Sequence, residues 1–300
     1  MFTYPPIVCF GREATHGFGL DCRTPFVAGT AIDATENGAT MGRLDNKGII
    51  VTGAGSGIGR AFVNGFAREG AKVGVLDLDP EAAERVVAEI TTAGGQAIAL
   101  AANVADRDAI RGEFSRFTAW AGRLDVLFNN AGFNKPMPFL EVTEENWDAI
   151  MRVNGWAVLM CTQEAAQFMI PQGSGKIVNT SSVAGRQGYP DFTPYSASKF
   201  AVNAITQATA RALAKHGITC NSFSPGVVVT PLWDALDKDL MDMGATSKPK
   251  ESIDSFSADI LMGHPAAPEE LVGTALYLAS SDSDYLTGQT IMIDGGKVLI

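Results

Sequence analysis

Cysteine is scarce in this chain and histidine scarcer still. Cys9, Cys22, Cys161 and Cys220 are spread over 300 residues and form no CxxC pair. Such sparse usage argues against a disulfide framework and fits a reduced, cytosolic setting. His16, His216 and His264 pair neither with a cysteine nor with each other at ligand spacing, so no zinc site is expected. Basic tracts are missing as well. With 23 Lys and Arg against 33 Asp and Glu, the formal net charge is −10. That balance argues against nucleic acid or an anionic membrane as partner. No apolar run approaches the ~18 residues needed to span a bilayer.

Residues 1–43 lack periodicity. They hold Pro5-Pro6 and several glycines, but no basic segment leading into a compact apolar one, so they do not read as a signal peptide. The stretch Met41-Gly42-Arg43-Leu44-Asp45 looks like a natural chain start. The expectation is a weakly ordered N-terminal extension over 1–43, or alternatively an arm packed on a neighbouring subunit. Residues 44–300 have the size of one α/β domain.

What is present from residue 46 onward is alternation. Seven short apolar runs recur: Ile49 to Val51, Val73 to Leu76, Ala97 to Leu100, Val126 to Phe128, Ile177-Val178, Ile218 to Cys220 and Ile291 to Ile293. Segments with helical spacing lie between them. One carries Ala61, Phe62 and Phe66 and ends at Gly70; another starts at Pro80 and ends at Gly94-Gly95. Continuous apolar strands alternating with amphipathic helices imply a single doubly wound, seven-stranded parallel sheet with helices on both faces. Asn154-Gly155 resembles a hairpin turn, but its apolar flanks are too long for strands. An interrupted helix is the expectation there.

The first strand leads into Thr52-Gly53-Ala54-Gly55-Ser56-Gly57-Ile58-Gly59. Glycines let the backbone turn tightly and approach a pyrophosphate, and the following helix offers free N–H groups to the anion. Isoleucine at 58 departs from GxGxxG, leaving the pattern Thr-Gly-x-x-x-Gly-x-Gly. A ligand-free turn is the plain alternative; the strand-to-helix context favours a Rossmann-type dinucleotide site. The second strand ends at Asp77, whose carboxylate would accept hydrogen bonds from the ribose hydroxyls of NAD and repel the extra phosphate of NADP. Asp79 competes for that role. Ser56 supplies no cation for such a phosphate.

Tyr195 and Lys199 are four residues apart, hence on one helix face, and Ser182 lies thirteen residues before Tyr195. A nearby ammonium favours a phenolate, whose ordinary pKa is about 10.

Taken together, these residues resemble the short-chain dehydrogenase/reductase family over residues 44–300. The likeness is carried by Thr52-Gly53-x3-Gly57-x-Gly59, Asn129-Asn130-Ala131-Gly132, Asn154, Ser182, Tyr195-x3-Lys199 and Pro225-Gly226, in order and spacing. The resemblance implies Tyr195 as acid/base and Lys199 as the group that lowers its pKa and holds the nicotinamide ribose. It implies Ser182, rather than its neighbour Ser181, as donor to the substrate oxygen, and Asn154 as holder of a relay water. Asn129 to Gly132 would steady the sheet and line the cofactor cleft. Pro225, Gly226, Val228 and Thr230 would wrap the nicotinamide end, with Val228 using its backbone. Asn103-Val104 stands where the family usually has Asp-Val, which keeps an acceptor for adenine but removes the charge.

The C-terminal third resembles dehydrogenases of polyols and vicinal diols. Within it, residues 232–263 are expected to form a substrate lid. Trp233 would be a pocket wall or a lid anchor, while Asp234 and Asp237 would bind hydroxyls or only carry surface charge. Gln187, Gly188 and Phe192 are candidate pocket walls because Ser182 and Tyr195 bracket them. The leading expectation is an NAD-dependent oxidoreductase acting on a secondary alcohol of a small polyol, diol or hydroxyketone. The alternatives are a reductase of a bulkier ketone, such as a steroid or acyl thioester, and a non-catalytic dinucleotide sensor. Homo-oligomerisation, commonly as a tetramer, is implied by the resemblance. The face Ala197, Ala201, Ala204, Ala208, Ala212 would permit close helix approach.

Overall fold

A computed structural model describes residues 42–299. The expectation for the extension 1–43 therefore falls almost entirely outside the described residues. Seven strands form one parallel sheet: β1 (Gly48–Thr52), β2 (Lys72–Asp77), β3 (Gln96–Ala101), β4 (Val126–Asn129), β5 (Gly175–Thr180), β6 (Ile218–Pro225) and β7 (Thr290–Ile293). Their order is β3-β2-β1-β4-β5-β6-β7. Every apolar run read from the sequence lies in one of these strands. The order reverses between β1 and β4, which are neighbours with Val51 beside Phe128. In such sheets the crevice beyond the strand ends at this switch point is where ligands bind.

Helices cover both faces: α1 (Gly57–Arg68), α2 (Pro80–Thr92), α3 (Arg107–Ala121), α4 (Glu144–Met151), α5 (Ala157–Gln172), α6 (Thr193–Leu213), α7 (Pro231–Asp242), α8 (Glu251–Ser257) and α9 (Val272–Ala279). One face packs Phe62 and Phe66 of α1 against Phe128 and Phe223, with ring centroids 5.0–6.0 Å apart. The other packs Phe114 and Phe117 of α3 with Met160 and Ala165 of α5 on Ile50 and Leu127. Burial on both sides explains why the central strands read as unbroken apolar runs.

Helix ends follow local chemistry. Asp79 caps α2, its Oδ1 accepting from Glu81 N at 2.9 Å and Ala82 N at 3.2 Å. Between α4 and α5 the chain widens into one π-helical turn, Arg152–Trp156, that contains Asn154. This is the interruption expected at Asn154-Gly155, and such turns commonly mark functional sites. No described helix is long and apolar enough to cross a membrane.

Candidate active site

Two hollows meet at the carboxyl ends of the strands. The first, about 630 Å³, runs over the switch point and is lined by the α1 loop, Asp77, Asn103, Val104 and Asn130 to Gly132. The second, about 140 Å³, lies beside it and contains Ser182, Tyr195 and Lys199. Ile58, Asn130, Gly132, Thr230 and Leu232 border both, so the two are continuous.

The first hollow is shaped by backbone. Gly53 has φ +62, and a Cβ there would lie 2.9 Å from Ala131 Cα. A Cβ on Gly59 would lie 2.3 Å from Gly53 O, so only glycine lets α1 start this close to the strand. Helix α1 has no acidic residue in its first turn, and its Ser56 cap makes no side-chain hydrogen bond to it. Its amide end is thus left for an anion. Thr52 Oγ1 accepts from the N–H groups of both Asn130 and Ala131 at 3.0 Å. Asn130 Nδ2 donates back to Thr52 O at 3.0 Å. These bonds lock β1 to β4 at the crevice floor. Below them Asn129 Nδ2 donates to Asn179 Oδ1 at 2.9 Å, and Asn179 Nδ2 donates to Thr206 Oγ1 at 2.9 Å. That buried ladder ties β4, β5 and α6 together.

Of the two carboxylates considered, Asp77 borders the cleft, whereas Asp79 is occupied as the α2 cap. Asp77 Oδ2 also accepts from Gly55 N at 2.8 Å, which fixes the carboxylate against the loop. Asn103 Oδ1, the acceptor expected to meet adenine, accepts from Ala105 N at 2.9 Å and so closes a local turn. The free helix end, the glycine contacts and the strand-tip carboxylate together fit a dinucleotide.

In the second hollow, Ser182 and Tyr195 line the same space, and Ser182 Oγ accepts from Ala184 N at 3.1 Å. Ser181 turns away and donates to Lys199 O at 3.2 Å. Lys199 Nζ donates to Thr180 O at 2.9 Å and lies 5.4 Å from the centre of the Tyr195 ring. Burial pushes the Tyr195 phenol above its ordinary pKa, outweighing the downward pull of the nearby Ser182 hydroxyl. Burial lowers the Lys199 ammonium to about 8. The expected downward pull of Lys199 on the phenol is therefore not the dominant effect in this structure. Desolvation, which disfavours any charge, governs both groups.

Asn154 is fully buried. Its Oδ1 accepts from Phe133 N at 3.0 Å, and its Nδ2 donates to Phe133 O at 2.9 Å and to Ser198 Oγ at 3.2 Å. These contacts commit its side chain to positioning. A relay water would have to use the backbone of the π-helical turn instead.

Residues 227–229 pair with Ala266: Ala266 N donates to Val227 O and Val229 N to Ala266 O, both at 2.9 Å. The alternation of strand groups turns Val228's own N–H and C=O to the opposite side. Pro225, Gly226, Val228 and Thr230 all line the second hollow.

The outer wall is aromatic. Phe192 stacks on Phe256 at 5.4 Å, and Tyr189 and Trp233 pack on the same Phe256 ring at 5.9 and 5.6 Å. Trp233 is thus both wall and anchor, joining α7 to α8. Gln187 and Gly188 are exposed and do not line the hollow; Gln187 Nε2 instead donates to Tyr189 Oη at 2.6 Å. Asp234 is exposed. Asp237 Oδ2 accepts from Lys250 N at 2.7 Å and its Oδ1 from Ser252 Oγ at 2.5 Å, bracing α7 against α8. Sequence reasoning missed Tyr189, Phe256, Asn134 and Lys297 as lining residues. Tyr189 sits in the bracketed stretch and was within reach of the same argument. The others arrive from distant loops without a local signal.

Among the described residues no group of His, Cys, Asp and Glu could hold a metal. The thiols of Cys161 and Cys220 are free and buried, and burial pushes both up to about 12, which leaves them inert.

A crevice that fits a dinucleotide, opening onto a Ser-Tyr-Lys cluster, defines a nicotinamide-dependent oxidoreductase. The sequence model of the short chain dehydrogenase family matches residues 47–241, and the chain belongs to that family. It is 38% identical to a 3-oxoacyl-[acyl-carrier-protein] reductase of Thermotoga maritima, over 86% of this chain and 100% of that protein. It is 37% identical to the L-2,3-butanediol dehydrogenase of Corynebacterium glutamicum, covering 84% and 99%. It is also 37% identical to the sorbitol dehydrogenase of Cereibacter sphaeroides, covering 85% and 98%. The crystal structure of levodione reductase superposes with a TM-score of 0.80 at 29% identity, over 85% of this chain and 98% of that one.

Proposed function

We propose that this protein is an NAD-dependent dehydrogenase of a secondary alcohol carried by a small polyol, vicinal diol or hydroxyketone. The observation that carries the reading is the cluster of Ser182, Tyr195 and Lys199 opening onto the larger hollow. Likeness to a butanediol and a sorbitol dehydrogenase points to the same small substrates.

A nicotinamide dinucleotide held along the α1 loop and Asp77 would supply hydride-transfer chemistry. The chain's residues supply the rest. Ser182 donates a hydrogen bond to the substrate oxygen and holds it at the Tyr195 phenol. Tyr195 takes the hydroxyl proton in oxidation and returns it in reduction. Lys199, charged below about pH 8, offsets the negative charge that grows on the phenol oxygen. Positioned acid/base groups of this kind are worth roughly 10²–10⁴-fold in rate. Asn154 keeps Phe133, and so the floor beside Gly132, in register. Helices α7 and α8 act as the substrate lid. Asp77, with Ser56 offering no cation nearby, selects NAD over NADP.

The alanine face of α6 supports assembly: Ala204, Ala208 and Ala212 are exposed rather than packed in the core. A homotetramer fits that face and this family, and the reduced thiols fit a cytoplasmic enzyme. A second reading, reduction of a bulkier ketone or acyl thioester, draws on the aromatic wall and on the likeness to the acyl-carrier-protein reductase.

The test is NADH formation with NAD and NADP side by side, over sugar alcohols, butanediols and bulky secondary alcohols. Turnover with NAD and small diols or polyols is expected. Turnover confined to bulky alcohols would move the assignment to the second reading.

A further inference from the structure

Among the polar side chains lining the substrate hollow, Asn134 is unlike the rest. It is 8% exposed, and its Oδ1 is buried with no hydrogen-bond partner among the described residues. Buried amide oxygens are nearly always paired, because burial without a partner forfeits hydration for nothing. Asn146, Ser224, Thr246 and Ser257 also carry orphaned atoms, but none of them lines the hollow.

The segment around Asn134 has little freedom to relieve the deficit. Phe133, just before it, is held at both backbone groups by Asn154. Lys135 O, just after it, accepts from Asn146 Nδ2 at 3.0 Å, and Met137 N donates to Asp191 O at 3.0 Å. Lys135 is also ion-paired with Asp239, tying the segment to α7, the helix that carries Trp233. Asn134 is therefore clamped on both sides and lines the same hollow as Ser182 and Tyr195, with its Oδ1 turned inward and the other, equally unpartnered, end of its amide left accessible.

We propose that Asn134 is a specificity-determining residue that reads a second hydroxyl next to the reacting carbon, making the preferred substrate a vicinal diol or α-hydroxyketone. This rests on the functional reading above. Ser182 and Tyr195 engage the reacting oxygen, which leaves them no capacity for another. A carboxamide offers one acceptor and two donors. A hydroxyl both donates and accepts, so it satisfies the amide whichever way the amide is turned. The stacked rings of Phe192 and Phe256, with Trp233 tilted against them, take the carbon skeleton. A mono-alcohol of the same shape fills the space but leaves the amide unpaired, which is how such sites reject it.

The experiment compares kcat/KM for 2,3-butanediol and for sec-butanol in the wild-type enzyme, Asn134→Ala and Asn134→Leu, with NADH binding followed by fluorescence in each. The wild type is expected to favour the diol. Both variants are expected to lose about 10–100-fold on the diol and no more than about 3-fold on sec-butanol, so the preference collapses. NADH binding is expected to stay within about 2-fold, which separates lost recognition from lost folding. A diol preference that survives in both variants overturns the inference alone. A parallel fall on both alcohols, with NADH binding intact, also overturns it, because it marks a merely structural residue. A wild-type enzyme that ignores diols but turns over bulky alcohols overturns the substrate reading, and this inference with it.

Discussion

The ammonium of Lys199 lies 5.4 Å from the centre of the Tyr195 ring, one turn along α6, and is anchored by Thr180 O. Burial pushes the phenol up and the ammonium down to about 8, so both groups lean toward neutrality. Oxidation needs Tyr195 as the phenolate to accept the alcohol proton, and the ionised fraction of a raised phenol grows as pH rises. Reduction needs the phenol to hold its proton, which a raised pKa preserves into the alkaline range. The expected outcome is an oxidation rate that climbs with pH through the neutral range while the reduction rate stays flat or declines. Tyr195→Phe should remove about 10²–10⁴-fold of kcat in both directions while NADH binding persists. Paired pH profiles of oxidation and reduction check the first expectation, and fluorescence titration checks the last.

Lys199 also carries a stability cost that is separable from its chemistry. Its folded-state pKa, about 8, lies below the ordinary lysine value, so between the two the unfolded chain binds more protons. Stability from this group is fully present above the unfolded value and is lost as pH falls through about 8. At pH 7 the folded protein therefore bears the full penalty of a buried charge. Lys199→Met should raise stability at that pH by about 1–3 kcal/mol while nearly abolishing turnover. Urea melts at neutral and at alkaline pH check this, because the gain should shrink as pH rises.

Asp77 Oδ2 accepts from Gly55 N, so the carboxylate that faces the cofactor cleft also supports the phosphate loop. Removing it should do two things at once. Asp77→Ser should weaken NAD by roughly 10-fold through lost ribose and loop contacts, and should let NADP turnover appear as repulsion is relieved. Kinetics with both dinucleotides check this. A variant that weakens NAD without admitting NADP would leave Asp77 with the loop-supporting role only.

Much of this architecture was legible in the chain. All seven strands were visible as short apolar runs, and the central ones do not alternate because both of their faces are buried. The π-helical turn was visible as a poor helix former, Asn154, inside an apolar helix. The α1 loop, Asp77 and the Ser-Tyr-Lys spacing were visible because their chemistry needs particular residues at fixed intervals. The outer wall was not. Phe256 reaches Phe192 across 64 residues of sequence, and its place depends on how Asp237 braces α8 against α7. Asn134 gave no signal either, since its significance is a missing partner, which only a packed structure reveals. Nor did the sequence disclose that desolvation would outweigh Lys199 at Tyr195, because burial depth is a property of the fold.

The clamp formed by Asn154 on Phe133 makes a prediction that couples stability to rate. Asn154→Ala would leave the half-buried Phe133 N–H and C=O without their partner. An unpaired buried group costs about 1–3 kcal/mol, so a loss near 2–3 kcal/mol, or roughly 4–6 °C in Tm, is expected. The segment carrying Gly132 and Asn134 would loosen with it, lowering kcat more than NADH affinity. A thermal melt alongside steady-state kinetics distinguishes this from a purely chemical role, in which kcat would fall at unchanged Tm.

Phe256 meets three other aromatic rings, so it is the keystone of the outer wall. Phe256→Ala should cost about 3–5 kcal/mol if the ring were fully buried, and less here because it is partly exposed on the lid. The larger consequence is for selectivity. Losing the ring enlarges the hollow and removes the surface that holds a small carbon skeleton against Ser182 and Tyr195. Small alcohols should lose roughly 10-fold or more in kcat/KM, mostly through KM, since the groups that act in the transition state are untouched. Bulky aryl alcohols excluded from the wild-type space should gain turnover. Competition between a small and an aryl alcohol in one assay would reveal that crossover, and a variant that loses both substrates equally would show that the wall serves folding rather than selection.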